Sequence, residues 1–199
     1  MKLFMSTTSP FARKVRIVIR EKGLADKVEE VVFVPIEAKP ELVAINPLSQ
    51  IPALIDDNGV SWTDSSLIAA WLDQQGRGPA FLPPAGTDEY WRVRRVEIVG
   101  MGLFEMIAKL VYEYRRPEGE RSPFWLQRWR ENLKRGFERA EAISPQSDAL
   151  DMGSLTLAIA GTSCDFRLPD IDWRTIAPRI SRLNETLEKR QSFIDTAPK

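Results

Sequence analysis

The chain has no histidine and one cysteine, Cys164, in 199 residues. No disulfide framework forms within it. Ser-His-Asp and Cys-His catalysis are excluded, as is a histidine-ligated metal. Carboxylate-only metal sites need a loop of closely spaced oxygen ligands, and none stands out. An excess of charge is also missing, since 28 basic side chains balance 28 acidic ones. A protein devoted to nucleic acid usually carries a basic surplus, so nucleic acid is not an expected partner. No apolar run approaches the length that spans a bilayer. The opening Met1-Lys2-Leu3-Phe4-Met5 turns polar too soon for a signal peptide. The expectation is a cytoplasmic protein without a membrane partner.

What is present reads as two regions. Leu3 to Met5 is a short apolar run, consistent with a buried strand. Pro10 suits the first turn of a helix. From Phe11 to Lys22, Val15, Ile17, Val18 and Ile19 alternate with Arg13, Lys14, Arg16 and Arg20, and Gly23 is a good stop. Val31 to Val34 is a β-branched run and reads as a second strand. Lys39 to Ile45 reads as a short helix ended by Asn46-Pro47. Pro52 to Ile55, Asp56 to Gly59 and Val60 to Trp62 read as strand, turn, strand, with Asn58-Gly59 as a strong hairpin signal. Asp64 to Asp73 reads as a third helix, with Thr63 or Asp64 as its cap.

Beyond this the composition shifts. Gly76-Arg77-Gly78-Pro79 and Leu82-Pro83-Pro84-Ala85-Gly86 mark a linker. The remainder reads as helices: Asp88 to Arg115, Pro123 to Ile143 before Ser144-Pro145, the small and apolar Ser154 to Phe166, and Ile176 to Lys189. The expected division is 1–77, a linker at 78–86, and 87–199.

Three short runs in the first region carry chemistry. Ser9-Pro10-Phe11-Ala12 puts a hydroxyl at a helix start. Asn46-Pro47-Leu48-Ser49-Gln50-Ile51-Pro52 puts a proline-fixed backbone ahead of a strand. Asp64-Ser65-Ser66 puts an acid and hydroxyls at another helix start. Together they suit a small anionic peptide, because helix N-termini offer unpaired N–H groups and a positive dipole end. Each run also has a purely structural reading. Ser9 and Asp64 are good N-caps, and Pro52 suits the first residue of a strand.

In this order, the three runs resemble those of the glutathione transferases, particularly bacterial members with a serine-type or cysteine-type site. The tail is similar as well, at Leu168-Pro169-Asp170-Ile171-Asp172-Trp173-Arg174, Pro178, and Gln191-Ser192-Phe193 through Thr196-Ala197-Pro198. The resemblance covers nearly the whole chain. It implies an α/β thioredoxin-like N-terminal domain plus an all-α C-terminal domain, glutathione as a substrate, no metal, and a homodimer in keeping with Trp62 and with Arg92, Arg94 and Arg95.

The resemblance also implies site residues. Ser9 matches the first position of the Cys-Pro-x-Cys site of related redox proteins. With Ser there and Ala12 in the later place, dithiol chemistry is disfavoured. Ser9 would stabilise the glutathione thiolate, with Ser6 and then Thr8 as competing hydroxyls. A free thiol ionises near pH 8.5, so a donor that lowers this value raises the nucleophile's population. A cis Ile51-Pro52 bond would expose the Ile51 N–H and C=O to the cysteinyl backbone, like one added strand. Asp64 would accept the ammonium and Ser65 would donate to the γ-glutamyl carboxylate. Gln50 and Lys39 are candidates for the glycyl carboxylate. Phe11, Phe104, Ile107, Ala108 and Tyr112 are candidates for the pocket of a small hydrophobic electrophile.

Two features depart from the family pattern. Many members open the buried helix with Ser or Thr three residues before Asp, as a capping box. Here Leu157 follows Ser154, so Ser154 is expected to cap alone, at a loss of about 1 kcal/mol or less. The isomerases of this fold usually show Ser-Ser-x-Ser, whereas this chain has Ser6-Thr7-Thr8-Ser9. The leading expectation is thiolate transfer to an electrophilic carbon. The alternatives are a non-catalytic binding protein of the same fold, or another glutathione-dependent reaction such as isomerisation or dehalogenation. Cys164, in an apolar helix, is expected to be a buried structural thiol.

Overall fold

The structure, a computed structural model, describes residues 1–33, 39–144 and 149–199. Val34, the expected end of the second strand, and Pro145 lie outside the described residues. The chain divides into two compact units, Met1–Leu82 with Arg190–Lys199, and Pro83–Lys189. The last ten residues thus fold with the first unit, not with the helical part where the sequence division put them.

The first unit holds β1 (Lys2–Met5), α1 (Pro10–Glu21), β2 (Glu29–Val32), α2 (Pro40–Ile45), β3 (Ala53–Ile55), β4 (Ser61–Thr63) and α3 (Ser65–Gln75). The sheet order is β2-β1-β3-β4. β1 runs parallel to β2 and antiparallel to β3, and β4 returns antiparallel to β3. The β3–β4 turn follows from Asp56, whose Oδ1 accepts from Asn58 N and Val60 N at 2.9 Å each. Its other oxygen accepts from Trp62 Nε1 at 3.0 Å, and Trp62 stacks on Trp71. Trp62 is therefore committed within this unit. Gly23, at φ +64°, ends α1 in a conformation that disfavours a side chain.

The apolar stripe of α1 is fully buried, and so are residues outside it. Arg13, Lys14 and Arg16 are at most 5 % exposed. The C-terminal segment, with α9 (Gln191–Ile194), accounts for part of this. Arg13 Nη2 donates to Phe193 O at 3.1 Å and Arg16 Nη1 to Thr196 O at 3.5 Å. Glu21 accepts from Arg190 Nε and Nη2, at 2.9 and 2.7 Å, and from the Ser192 hydroxyl at 2.6 Å. The start of the linker is pinned as well. Lys22 Nζ reaches Asp73 at 3.1 Å and the carbonyls of Gly78 and Pro79, and Asp73 accepts from Phe81 N and Leu82 N. A buried ion pair with this many further hydrogen bonds avoids an unpaired charge in low dielectric.

The second unit holds α4 (Asp88–Arg115), α5 (Pro123–Ile143), α6 (Met152–Arg167), α7 (Trp173–Ile176) and α8 (Pro178–Leu187). The expected helix from Ile176 to Lys189 is α8, with Ile176 instead ending the short α7 before it. Pro178 lacks an N–H to continue α7, and its fixed φ suits the first turn of α8. α6 is the buried centre, with every residue from Met152 to Gly161 under cover. α4 meets it closely. A Cβ on Gly100 would sit 2.7 Å from Thr156 Cγ2, so only glycine permits this crossing.

The start of α6 corrects the expected capping. The helix begins at Met152, with Asp151 as its N-cap and Ser154 at the third position. Asp151 Oδ1 accepts from Ser154 N at 2.7 Å, and Ser154 Oγ accepts from Asp151 N at 2.8 Å. The box is complete with its two residue types exchanged. Asp caps as well as Ser does, and a hydroxyl accepts from the cap N–H as a carboxylate would. Arg92 joins Asp151 at 2.9 Å as well as Glu89, and Arg94 pairs with Glu97 at 2.7 Å. These arginines are engaged within the unit. Burial, and then the charges of Asp165 and Asp170, push the Cys164 thiol up to about 12. No helix of the described residues is long and apolar enough to cross a membrane.

Candidate functional site

Register brings the three runs to one end of the sheet. Phe4 pairs with Ala53, and Ala53 with Thr63. The Ser9 segment leaves the C-terminal end of β1, Pro52 directly precedes β3, and Asp64 directly follows β4. Because β3 is antiparallel to its two neighbours, all three emerge at the same edge.

Ser9 is the N-cap of α1, and its Oγ accepts from Ala12 N at 3.3 Å. Among the described residues, no hydrogen bond takes up its O–H. A hydroxyl that accepts at a helix start still has its proton to donate. Thr7 is engaged, its Oγ1 donating to Lys199 O at 2.9 Å.

The second run is built on Asn46, which is buried. Its Nδ2 donates to Gln50 O at 2.9 Å, its Oδ1 accepts from Leu48 N at 3.1 Å, and its carbonyl accepts from Ser49 N at 2.8 Å. Ser49 adopts φ +52° within this turn, and its Oγ is buried without a hydrogen bond. Ile51-Pro52 is cis. Pro52 is buried, Ile51 half-buried and Gln50 exposed. Among the described residues, no hydrogen bond engages the Ile51 N–H or C=O. Lys39 caps α2 by position, and its ammonium lies 5.5 Å from the Phe33 ring.

Asp64 caps α3 from φ +70°, with Oδ1 accepting from Ser66 N at 2.8 Å and Leu67 N at 3.3 Å. Its side chain is exposed, while Ser65 is 2 % exposed. Lys14 Nζ donates to Ser66 Oγ at 3.3 Å, tying α1 to α3 beneath the site. The residues named for the electrophile differ in setting. Phe11 and Ala108 are half-buried, Phe104 and Ile107 are core residues of the helical unit, and Tyr112 is 52 % exposed.

The sequence marks Asn46 as the head of the proline run and Lys14 as part of the basic helix, but assigns neither a place in the site. The signal for Asn46 is Asn before Pro, a turn-initiating pair whose side chain bonds the backbone two residues on. Lys14 offers no such signal, since a lysine on an amphipathic helix ordinarily faces water. A cavity of about 200 Å³, lined by Met1, Lys27, Asp57 and Trp71, lies toward the opposite end of the sheet, beside the β3–β4 turn. It is smaller than ligand pockets generally are, at about 300–1,000 Å³. Among the described residues, no group of three or more acidic or sulfur ligands is placed to hold a metal.

Residues 8–75 match the family model described as the glutathione S-transferase N-terminal domain. Over its whole length the chain is 31 % identical to the uncharacterized GST-like protein YibF of Escherichia coli K12, covering 98 % of that protein. Among solved structures it is similar to a glutathione S-transferase of Methylobacterium radiotolerans in complex with glutathione sulfonate. That likeness has 33 % identity and a TM-score of 0.89, and covers 99 % of this chain and 94 % of the other. A glutathione transferase family member of Pseudomonas fluorescens Pf-5 with bound glutathione has 28 % identity and a TM-score of 0.92, with 100 % and 98 % covered. The sheet edge, its three runs and these full-length likenesses agree: the chain belongs to the glutathione S-transferase family.

Proposed function

We propose that the protein conjugates the thiolate of glutathione to small hydrophobic electrophiles, with Ser9 stabilising the thiolate. The observation that carries this reading is the shared sheet edge. It presents a Ser9 hydroxyl whose O–H is not taken up among the described residues, at the N-terminus of a 12-residue helix, and at the same edge an Ile51 backbone without a hydrogen bond among those residues. Glutathione binding in similar structures supports the same ligand here. Ile51 would take the cysteinyl main chain, as strand addition does. Asp64 would take the ammonium with Oδ2, which the capping bonds leave over. The N-terminus of α3, with Ser65, would take the γ-glutamyl carboxylate. Gln50 and Lys39 would serve the glycyl carboxylate. Phe11, Phe104, Ile107, Ala108 and Tyr112 are the candidates for the electrophile. A cytoplasmic homodimer acting in detoxification fits this reading.

Catalysis here is thiol ionisation plus orientation of two substrates. A hydrogen bond to a charged group contributes about 1.5–3 kcal/mol, which corresponds to roughly one to two pH units at 1.36 kcal/mol per unit. Ultraviolet thiolate absorbance of bound glutathione, titrated against pH, is expected to give a pKa well below the free value. In Ser9→Ala it is expected to rise by roughly one to two pH units. Tight binding with an unshifted thiol, equal in both proteins, would assign the chain to binding instead of conjugation.

A further inference from the structure

Among the described residues, three buried side-chain atoms have no hydrogen-bond partner: Arg13 Nε, Arg92 Nη1 and Ser49 Oγ. Both guanidinium groups are bonded through other nitrogens. Ser49 has one polar atom in its side chain, and that atom is the orphan. The residue also takes φ +52°, where a side chain is disfavoured. A buried hydroxyl left unsatisfied forfeits the hydrogen bonds that water gave it, and positive φ adds strain. Glycine at this position would remove both penalties. The turn itself does not use the hydroxyl, because Asn46 holds it through Leu48 N, Ser49 N and the Gln50 carbonyl. Serine therefore disfavours the fold on two counts, at one residue, directly ahead of Gln50 and Ile51.

With the γ-glutamyl group at α3 and the cysteinyl main chain at Ile51, the glycyl end falls to the turn before Ile51. That turn is Ser49-Gln50. Ser49 as a whole is half-buried, so its oxygen is covered while the residue is not. A step between staggered rotamers swings Oγ by about 120° around the Cα–Cβ bond. From there the hydroxyl can donate to an anion, and a hydrogen bond to a charged acceptor is roughly twice as strong as a neutral one.

We propose that Ser49 sets specificity for the C-terminal end of the tripeptide, its hydroxyl donating to the glycyl carboxylate and gaining there the partner that the chain itself does not supply. This rests on the glutathione reading of the site. It adds to that reading a donor that the turn leaves unsatisfied, beside Gln50 on the same segment.

The test is calorimetric titration of the whole protein with glutathione and with γ-glutamylcysteine ethylamide, in which a methyl group replaces the glycyl carboxylate. Unaltered protein is expected to bind glutathione about tenfold more tightly or better, as one hydrogen bond to a charged group implies. Ser49→Ala is expected to weaken glutathione about tenfold and to leave the ethylamide unchanged. Ser49→Gly is expected to do the same while raising the thermal midpoint, since it removes the strain and the buried hydroxyl together. Equal affinity of unaltered protein for the two peptides overturns the proposal, whether or not a variant folds. So does a Ser49→Ala protein that holds glutathione as wild type does, the result expected if a water molecule satisfies the hydroxyl. Equal losses for both peptides in Ser49→Ala assign the residue to the shape of the turn, and also overturn it. Wild-type protein that binds neither peptide removes the glutathione reading and this inference with it, whereas the other adverse outcomes leave that reading standing.

Discussion

Asp64 sits at φ +70° with its Oδ1 holding the N–H groups of Ser66 and Leu67. A non-glycine residue there costs of order 1–3 kcal/mol and persists when its surroundings over-determine it. The two roles assigned to this residue separate by substitution. Asn caps a helix as well as Asp does and tolerates positive φ, so Asp64→Asn is expected to keep the thermal midpoint close to wild type. It removes the charge proposed to meet the ammonium, and the glutathione Kd is expected to rise about 10-fold or more. An unchanged Kd in a folded Asp64→Asn protein would mean that the residue only caps. Asp64 and Ser9 were legible as helix starts because capping is a local, side-chain-to-backbone bond. Whether they also meet a ligand was not legible, since that depends on strands far apart in sequence.

At the scale of elements, α1 and the C-terminal segment illustrate what periodicity misses. The apolar stripe of α1 predicts one buried face. Arg13, Lys14 and Arg16 are buried too: Arg13 and Arg16 reach carbonyls at the end of the chain, and Lys14 reaches Ser66 of α3. The acids bound to it set a pH dependence. Arg190 and Ser192 lower the Glu21 carboxyl against the opposing effect of burial, and burial of Glu30 is outweighed by Arg20 and Arg16. A carboxyl depressed on folding stabilises fully above its ordinary value of 4.5, and that stability is lost as pH falls through the lower folded value. The urea midpoint is therefore expected to be flat near neutrality and to drop below about pH 4.5. Glu21→Gln is expected to lower the neutral midpoint and to shallow the acid limb. A limb as steep as wild type in Glu21→Gln would remove the C-terminal clamp from this account. The α6 cap makes the companion point. Asp151-x-x-Ser154 is a complete box written with the residue types in the less familiar order, and reading only for Ser followed by an acid places the helix start three residues late.

At the scale of the whole molecule, Arg92 and Arg94, two of the three arginines expected to mark a subunit interface, are occupied within their own unit, and so is Trp62. The exposed apolar residues are others. Trp91 and Ile98 lie seven positions apart on α4, hence on one face two turns apart, and are 57 % and 65 % exposed; Leu48 and Leu67 are 74 % and 53 % exposed. Such residues are costly to leave in water only when they form a contiguous patch, which is what a subunit contact would cover. Light scattering is expected to give twice the chain mass, and Ile98→Glu is expected to halve it while glutathione still binds. A wild-type protein that stays monomeric at high concentration would end the dimer proposal.

By itself the sequence determined the classes of chemistry excluded, the order of strands and helices in the first unit, the caps of α1 and α3, the hairpin turn, and the three runs that resemble a glutathione site. Each of these is encoded within a few residues, through hydrogen bonds and backbone preferences that act locally. The tertiary structure decided which distant residues share a surface. Register brought Ser9, Ile51 and Asp64 to one edge, and the chain's end reached Arg13 and Arg16 of α1. These follow from packing between segments tens to more than a hundred residues apart, which no local pattern records.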